Sequence, residues 1–509
     1  MAEDPSADEK AARHRYFCFI LASTAARSFE AGIISSMLEA IKADLDIDYL
    51  REGVVASAPD FGIVPASILA LWIFDVLPAF PVLATSNCII GVVTFTCALV
   101  PSFASLVAAR AISGLCWGLS AVHYPAWINS KGDPKRRTSW LALCVPLVLP
   151  RSLVVSQSRP FIRYNAMLLV GILVGYVIGG ACLSEGWATW HQLYAAEGCF
   201  MLAVALGSAL FSPATVQVVP RRSNARAGDL QSWSQCWGST ANEEKPILSD
   251  DDGTVLEGPK HARDFRTKIG ELVSAEHGLF GFTIGCGAMT SGTIGFILYF
   301  ITEVTARLMS NLGYADVYLI IGVGMVTAPI PGTLLGGRYL EHISSRGYHD
   351  FFVAHGFTVA CSVSALACVA LLPLATSSGL PLRDREWLFS ILIWLILFIG
   401  AAPTASLNGI AIAVAPPDAS HYASSVQFAV QNLAKMMVPI FGGWLIDATN
   451  LFTGFDITMA ITVTSFLFFA LLARRAAGKG ADAATPAPAS TGDTERAVLS
   501  EAPPPRSYN

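Results

Sequence analysis

Four charged residues lie inside stretches otherwise apolar enough to cross a bilayer, and together they could do proton-dependent ion-pair chemistry. Arg27 and Glu30 stand three residues apart in LASTAARSFEAGIISSM, so a helix puts them on one face. Arg110 lies in SLVAARAISGLCWGL and Asp60 in VVASAPDFGIVPASI. A charge at membrane depth is expensive and by default marks a functional site whose partner lies elsewhere in the bundle. If the first and fourth spans enter from opposite sides near Tyr16 and Ser102, Glu30 and Arg110 each sit roughly 10 Å inside the same end, and Asp60 reaches a comparable depth. Two guanidiniums and two carboxylates at one level make a switch: protonating a carboxylate frees an arginine to change partner or to hold an anionic group. A static ion pair that locks the bundle is the alternative for each.

A second polar group recurs at helical spacing near the end of the chain. Ser424, Gln427, Gln431 and Lys435 share one helical face, with Asn432 beside them. Hydrocarbon would leave these groups unsatisfied, so a cavity is one reason to tolerate them, and Lys435 could attract a carboxylate or phosphate. Hydrogen bonding between helices is the other reason, and Asn408 carries the same ambiguity. His123, Tyr124 and Glu197 are further polar residues in apolar runs, and the lone histidine reads as packing.

The elements that position these residues are set by composition. The 509 residues are 53% hydrophobic and 14% charged, with a mean hydropathy of +0.53. A soluble chain carries charge on about a quarter of its residues. An all-α integral membrane protein is expected, with windows near 16–39, 52–74, 80–101, 104–128, 165–184, 190–212, 278–301, 314–336, 351–375, 386–411, 420–446 and 454–473. That gives about twelve transmembrane helices in two groups of six. The expected domains are an N-terminal tail over 1–15, a first bundle over 16–212, a cytoplasmic connector over 213–275, a second bundle over 276–474 and a disordered tail over 475–509. Between Arg137 and Glu185 one helix would be too long and would immerse Arg151, Arg159 and Arg163, so residues 145–164 read as an interfacial insert or a gene-model error.

Basic residues gather on one side if both termini are cytoplasmic. Lys10, Arg13, Arg15, the run Lys131 to Arg137, the connector, Arg338, Arg346, Arg474 and Arg475 then lie inside, leaving mainly Lys42, Arg51, Arg307, Arg383 and Arg385 outside. Ten of the eleven cysteines lie in apolar segments, none in a zinc or CxxC pattern, which points to packing.

The order of these features resembles the major facilitator superfamily. Arg110, Gly114 and Gly118 match the RxxxGxxxG spacing of its fourth helix, followed by the basic loop KGDPKRR. GILVGYVIGG, with Gly171, Gly175, Gly179 and Gly180, is similar to its glycine-rich fifth helix without the proline often found there. Gly332, Gly336, Gly337, Glu341, Arg346 and Gly347 resemble the loop motif between helices eight and nine, with Glu for the usual Asp. In the matching first-half motif only Asp75 is kept, in FDVLPAF. SFEAGIISSMLEAIKADLDI, EGVVASAPDFGIVPASI and PIFGGWLIDAT, with Pro439, Gly442, Gly443 and Asp447, resemble spinster-type and related organic-solute carriers.

The resemblance implies the major facilitator fold, proton-linked change through Glu30 and Arg110, and conformational roles for Asp75, Gly114, Gly118, Gly175, Gly179, Gly337 and Glu341. It implies a proton-linked secondary transporter working by alternating access on an organic or lysolipid-like solute. Small organic anions, sugars or drugs are the alternative substrates, and a non-transporting sensor is the alternative role. No Walker A sequence is present, no cofactor is implied, and no nucleophile with a base or clustered His and Asp points to an enzyme. The short basic clusters give no footprint for nucleic acid, and a monomer in the bilayer is expected.

Overall fold

The computed structural model describes residues 7–131 except 101, then 159–217, 278–309, 314–345, 351–377, 381–415 and 420–484, with a few isolated positions between. Fifteen helices lie within them. The first group is α1 (Ala7–Leu45), α2 (Tyr49–Val76), α3 (Ala79–Leu99), α4 (Phe103–Lys131), α5 (Arg159–Ser184) and α6 (Trp190–Ser208), followed by the single turn α7 (Pro213–Val216). The second group is α8 (Leu279–Leu308), α9 (Tyr314–Thr327), α10 (Pro329–Ser345), α11 (Phe351–Thr376), α12 (Leu382–Ala401), α13 (Thr404–Val414), α14 (Ser420–Ala448) and α15 (Leu451–Ala484).

Two crossings are each built from two helices. Between α9 and α10 the chain meets Pro329, which has no N–H to donate, and between α12 and α13 it meets Pro403. Counting each such pair once and setting α7 aside leaves twelve crossings among the described residues, six in each group. Nine stretches of the described residues are long and apolar enough to span a membrane, and α5, α6 and α14 complete the set. The protein is an all-α, multi-pass integral membrane protein.

Glycines set the tightest approaches. A Cβ on Gly114 would fall 1.8 Å from Pro59 O, and one on Gly62 would fall 2.0 Å from Ala111 O, so α2 and α4 touch backbone to backbone. On α1 and α5, Gly32 and Gly175 play the same part, with Ile172 O 2.0 Å and Phe29 O 2.2 Å away. Such small-residue seams let membrane helices gain packing where no hydrophobic driving force exists. The α5–α6 turn ends in Gly186 at φ 68°, where Trp187 N–H reaches Cys182 O at 2.9 Å in a left-handed helix cap.

Several boundaries differ from the expected ones. Helix α1 continues to Leu45, α5 begins at Arg159 rather than 165, and α15 runs on to Ala484. The Lys131–Arg137 loop beyond its first residue, most of the connector and the end of the tail lie outside the described residues. The nine described cysteines are free thiols. The molecule has a terminal face, where α1 begins, and a distal face, which holds the α1–α2 turn.

Candidate functional site

Glu30 is the centre of the first-bundle charges. Its Oε2 lies 2.5 Å from Arg27 Nη1 and its Oε1 accepts from Arg110 Nη1 at 3.4 Å. All three are buried, with Arg110 only 1% exposed. Arg110 also donates to backbone carbonyls of α2, to Val55 O at 2.9 Å and Ala56 O at 3.2 Å. The Val55 carbonyl is available because Pro59 lies four residues beyond it and has no N–H to bond it. Arg27 packs with its guanidinium 5.7 Å from the Trp117 ring centre, an attractive placement for a desolvated cation. One carboxylate thus joins α1 to α4, and one guanidinium joins α4 to α2.

Asp60 faces the other bundle. It is buried, and the charges that act on it are Lys435 of α14 and Arg110. Tyr299 of α8 stands within electrostatic reach of Asp60, Arg110 and Glu30. The four charges expected to share a level are therefore brought together, with Lys435 added from the second bundle. The rest of the α14 stripe divides. Gln431 Nε2 donates to Asn408 Oδ1 at 3.2 Å, and Gln427 Nε2 donates to the same oxygen, so both glutamines bond α13. Asn432 turns back to Phe428 O at 2.7 Å, and Ser424 is exposed. A Cβ on Gly287 of α8 would lie 2.7 Å from Gln431 Nε2, and one on Gly295 would lie 3.6 Å from Lys435 Cγ, so α8 makes room for the stripe.

No protein-family model matches this sequence, and no curated protein matches it significantly. Solved structures do match the fold. A bacterial homologue of the human lysosomal transporter Spinster, in an inward-facing and unoccupied conformation, aligns at a TM-score of 0.62 and 16% identity over 93% of this chain and 99% of its own. The nucleoside transporter NupG gives 0.55 at 12% identity over 91% and 98%. A D-xylose–proton symporter gives 0.56 at 12% identity over 89% and 97%. The chain has the major facilitator fold.

In this major facilitator fold the conformational candidates take different places. Gly114 and Gly118 lie on the α2–α4 seam, where a Cβ on Gly118 would meet Ala66 Cβ at 2.5 Å. Gly175 and Gly179 lie on the α1–α5 seam, the latter 2.3 Å from Ser36 Oγ by the same measure. Gly337 has open space where a Cβ would stand. Asp75 and Glu341 lie on α2 and α10, and their side chains are outside the description.

Two groupings go beyond the sequence reading, which notes Asp447 and Glu197 only singly. The first crosses between bundles at the distal face. Asp447, from α14, accepts the backbone N–H groups of Tyr49 at 3.1 Å and Leu50 at 2.7 Å, capping α2 from the opposite bundle. Glu303 of α8 accepts from Tyr49 Oη at 2.6 Å, Lys42 Nζ at 3.4 Å and Arg307 Nη2 at 3.2 Å. Lys42 also pairs with Glu52 at 3.3 Å. The signal was present, since Glu303, Lys42 and Glu52 sit at helix ends, but helix-end charges are common and the pairings of Glu303 with Lys42 and Tyr49 span more than 250 residues of sequence. The second group is Glu197 and Tyr194 on α6, both buried beside Glu30 and Arg110.

Proposed function

We propose that the protein is a proton-linked secondary transporter that carries an organic or amphipathic solute by alternating access between its two bundles. The observation that carries this reading is the buried Glu30, shared by Arg27 and Arg110 and set near the buried Asp60, on which Lys435 of the other bundle acts electrostatically. A proton on Glu30 would remove the anion that holds two cations. Arg110 would then be free to tighten on Asp60 or on an anionic substrate group, changing how the bundles meet.

The fold's neighbours include a bacterial homologue of a human lysosomal transporter, a nucleoside transporter and a D-xylose–proton symporter, which supports transport as the class of activity. Lys435, the cation of the α14 stripe, favours solutes with a carboxylate or phosphate, and lysolipids combine such a group with an apolar chain. The bias of basic residues supports cytoplasmic termini. With that orientation the distal face is outside.

The test is flux into proteoliposomes under an imposed proton gradient, with lysolipids, small organic anions, sugars and nucleosides as the panel. The expected result is gradient-driven flux of one class, whose pH dependence is lost in Glu30→Gln. Flux that keeps its pH dependence in that variant would overturn the coupling role, and absence of flux across the panel would favour a non-transporting sensor.

A further inference from the structure

The interior of the first bundle holds polar groups that its hydrogen bonds do not use. Thr24 and Arg27 of α1, Asn87 and Thr94 of α3, Ser113 and Ser120 of α4, and Tyr194 and Glu197 of α6 are all buried. Apart from Asn87 and Ser120, which the Tyr124 hydroxyl approaches, each presents at least one oxygen or nitrogen without a hydrogen-bond partner among the described residues, and Glu197 presents both carboxylate oxygens. One such atom needs an explanation, and a cluster from four helices points to internal water.

Spacing arranges the groups in a column. Asn87 and Thr94 are two turns apart on α3, as are Ser113 and Ser120 on α4, a rise of about 10 Å in each case. At the upper level, Gly198 of α6 packs against Phe95 of α3, so the preceding residues Glu197 and Thr94 lie at a similar height, and Ser113 follows Arg110 by one turn. At the lower level the Tyr124 hydroxyl meets Ser23 Oγ at 3.3 Å and adjoins Ser120 and Asn87. Toward the terminal face the column is closed by Tyr16, Phe17, Ile20 and Trp127. Its connection is with the Glu30 cluster.

Among the described residues, the charges that act on Glu197 all belong to that cluster. Helix α1 faces it with Glu30 and Arg27 and α4 with Arg110; Tyr194 shares its helix, and Cys97 of α3 faces Tyr194. Arg27 pairs with Glu30 through Nη1 and also acts electrostatically on Glu197, while its Nε is unbonded among the described residues. A metal cation is disfavoured beside two guanidiniums, whereas a proton neutralises a carboxylate without adding a charge centre.

We propose that α1, α3, α4 and α6 enclose a hydrated proton site in which Glu197 takes up the proton that Glu30 releases, while Arg27 transfers its charge from one carboxylate to the other. The proton leaves the Glu30 carboxyl, passes through the internal waters and converts the Glu197 carboxylate to the neutral acid; the charge of the cluster does not change. The observed pairing among the described residues, Glu30 with both arginines and Glu197 with neither, is one end of that exchange. Its role in coupling rests on the transport reading above; its test does not.

The experiment is infrared difference spectroscopy of the full chain in lipid nanodiscs between basic and neutral pH. Wild type is expected to show the carbonyl stretch of a protonated buried carboxyl, shifted when the buffer is changed to D2O. That band should vanish in Glu197→Gln and also in Glu30→Gln, where Arg27 is left to pair with Glu197. Glu197→Asp, which keeps the acid if the glutamine variant fails to fold, should move the band rather than abolish it. A band that survives Glu197→Gln, is unaffected by Glu30→Gln, or ignores D2O would overturn the proposal. Missing flux with the bands as expected would sink the transport reading alone, and flux with the wrong bands would sink this inference alone.

Discussion

Arg110 holds three partners on two helices, which a point charge could not do. A lysine there has one ammonium and cannot reach Val55 O, Ala56 O and Glu30 together. Arg110→Lys is expected to lower stability by about 1–3 kcal/mol, read as a lower thermal midpoint in detergent; an unchanged midpoint would mean that the carbonyl contacts contribute nothing. On the proposed transport reading, Lys435 acts on what enters rather than on the scaffold. Lys435→Gln is expected to raise KM about tenfold for an anionic solute and to leave a neutral one of the same size unchanged, in a flux assay. At this scale the sequence was informative where chemistry is rare. Arg27, Glu30 and Arg110 could be grouped because charges seldom occur in apolar runs and helix rise fixes their depth. Glu197 also lies in such a run, but which neighbours it faces depends on the rotation of α6, and periodicity in an almost uniformly apolar helix does not encode rotation.

Helices meet through their glycines, and substituting them separates contact from mere presence. Gly114→Ala would drive a Cβ into the Pro59 carbonyl, so a loss of about 1–3 kcal/mol or more is expected from overpacking. Gly337→Ala meets open space and should instead gain about 0.5–1 kcal/mol through reduced unfolded-state freedom. Parallel thermal unfolding of the two variants checks both signs, and equal midpoints would refute the distinction. The crossings themselves were legible because about 20 apolar residues are a coarse, robust signal. The breaks at Pro329 and Pro403 were not, since a hydropathy window averages over them. Nor was the reach of α1 and α15 past the apolar windows, where helix propensity and neighbour packing continue what hydrophobicity began.

The two bundles are joined at the distal face by contacts that the first-half loop motif, reduced to Asp75, would not have suggested. Asp447 on the α2 N-terminus and Glu303 among Tyr49, Lys42 and Arg307 all bridge the bundles, so removing both charges should favour their separation there. Spin labels at Arg51→Cys and Asn450→Cys, exposed residues on opposite bundles, are expected to gain a longer-distance population in Asp447→Asn/Glu303→Gln. Identical distance distributions would show that these charges do not latch the face. The polar stripe of α14 has a separate consequence, for how the chain is made. That helix is not among the nine stretches apolar enough to span a membrane, and a lysine at its middle adds about 2.5–3.5 kcal/mol against entering lipid. During synthesis that cost works against its release into bare lipid and favours entry against α8, whose Gly287 and Gly295 leave room for Gln431 and Lys435. Integration of the eleventh crossing and packing of the second bundle are then a single event, and filling the Gly287 notch would be felt first as a failure of biogenesis.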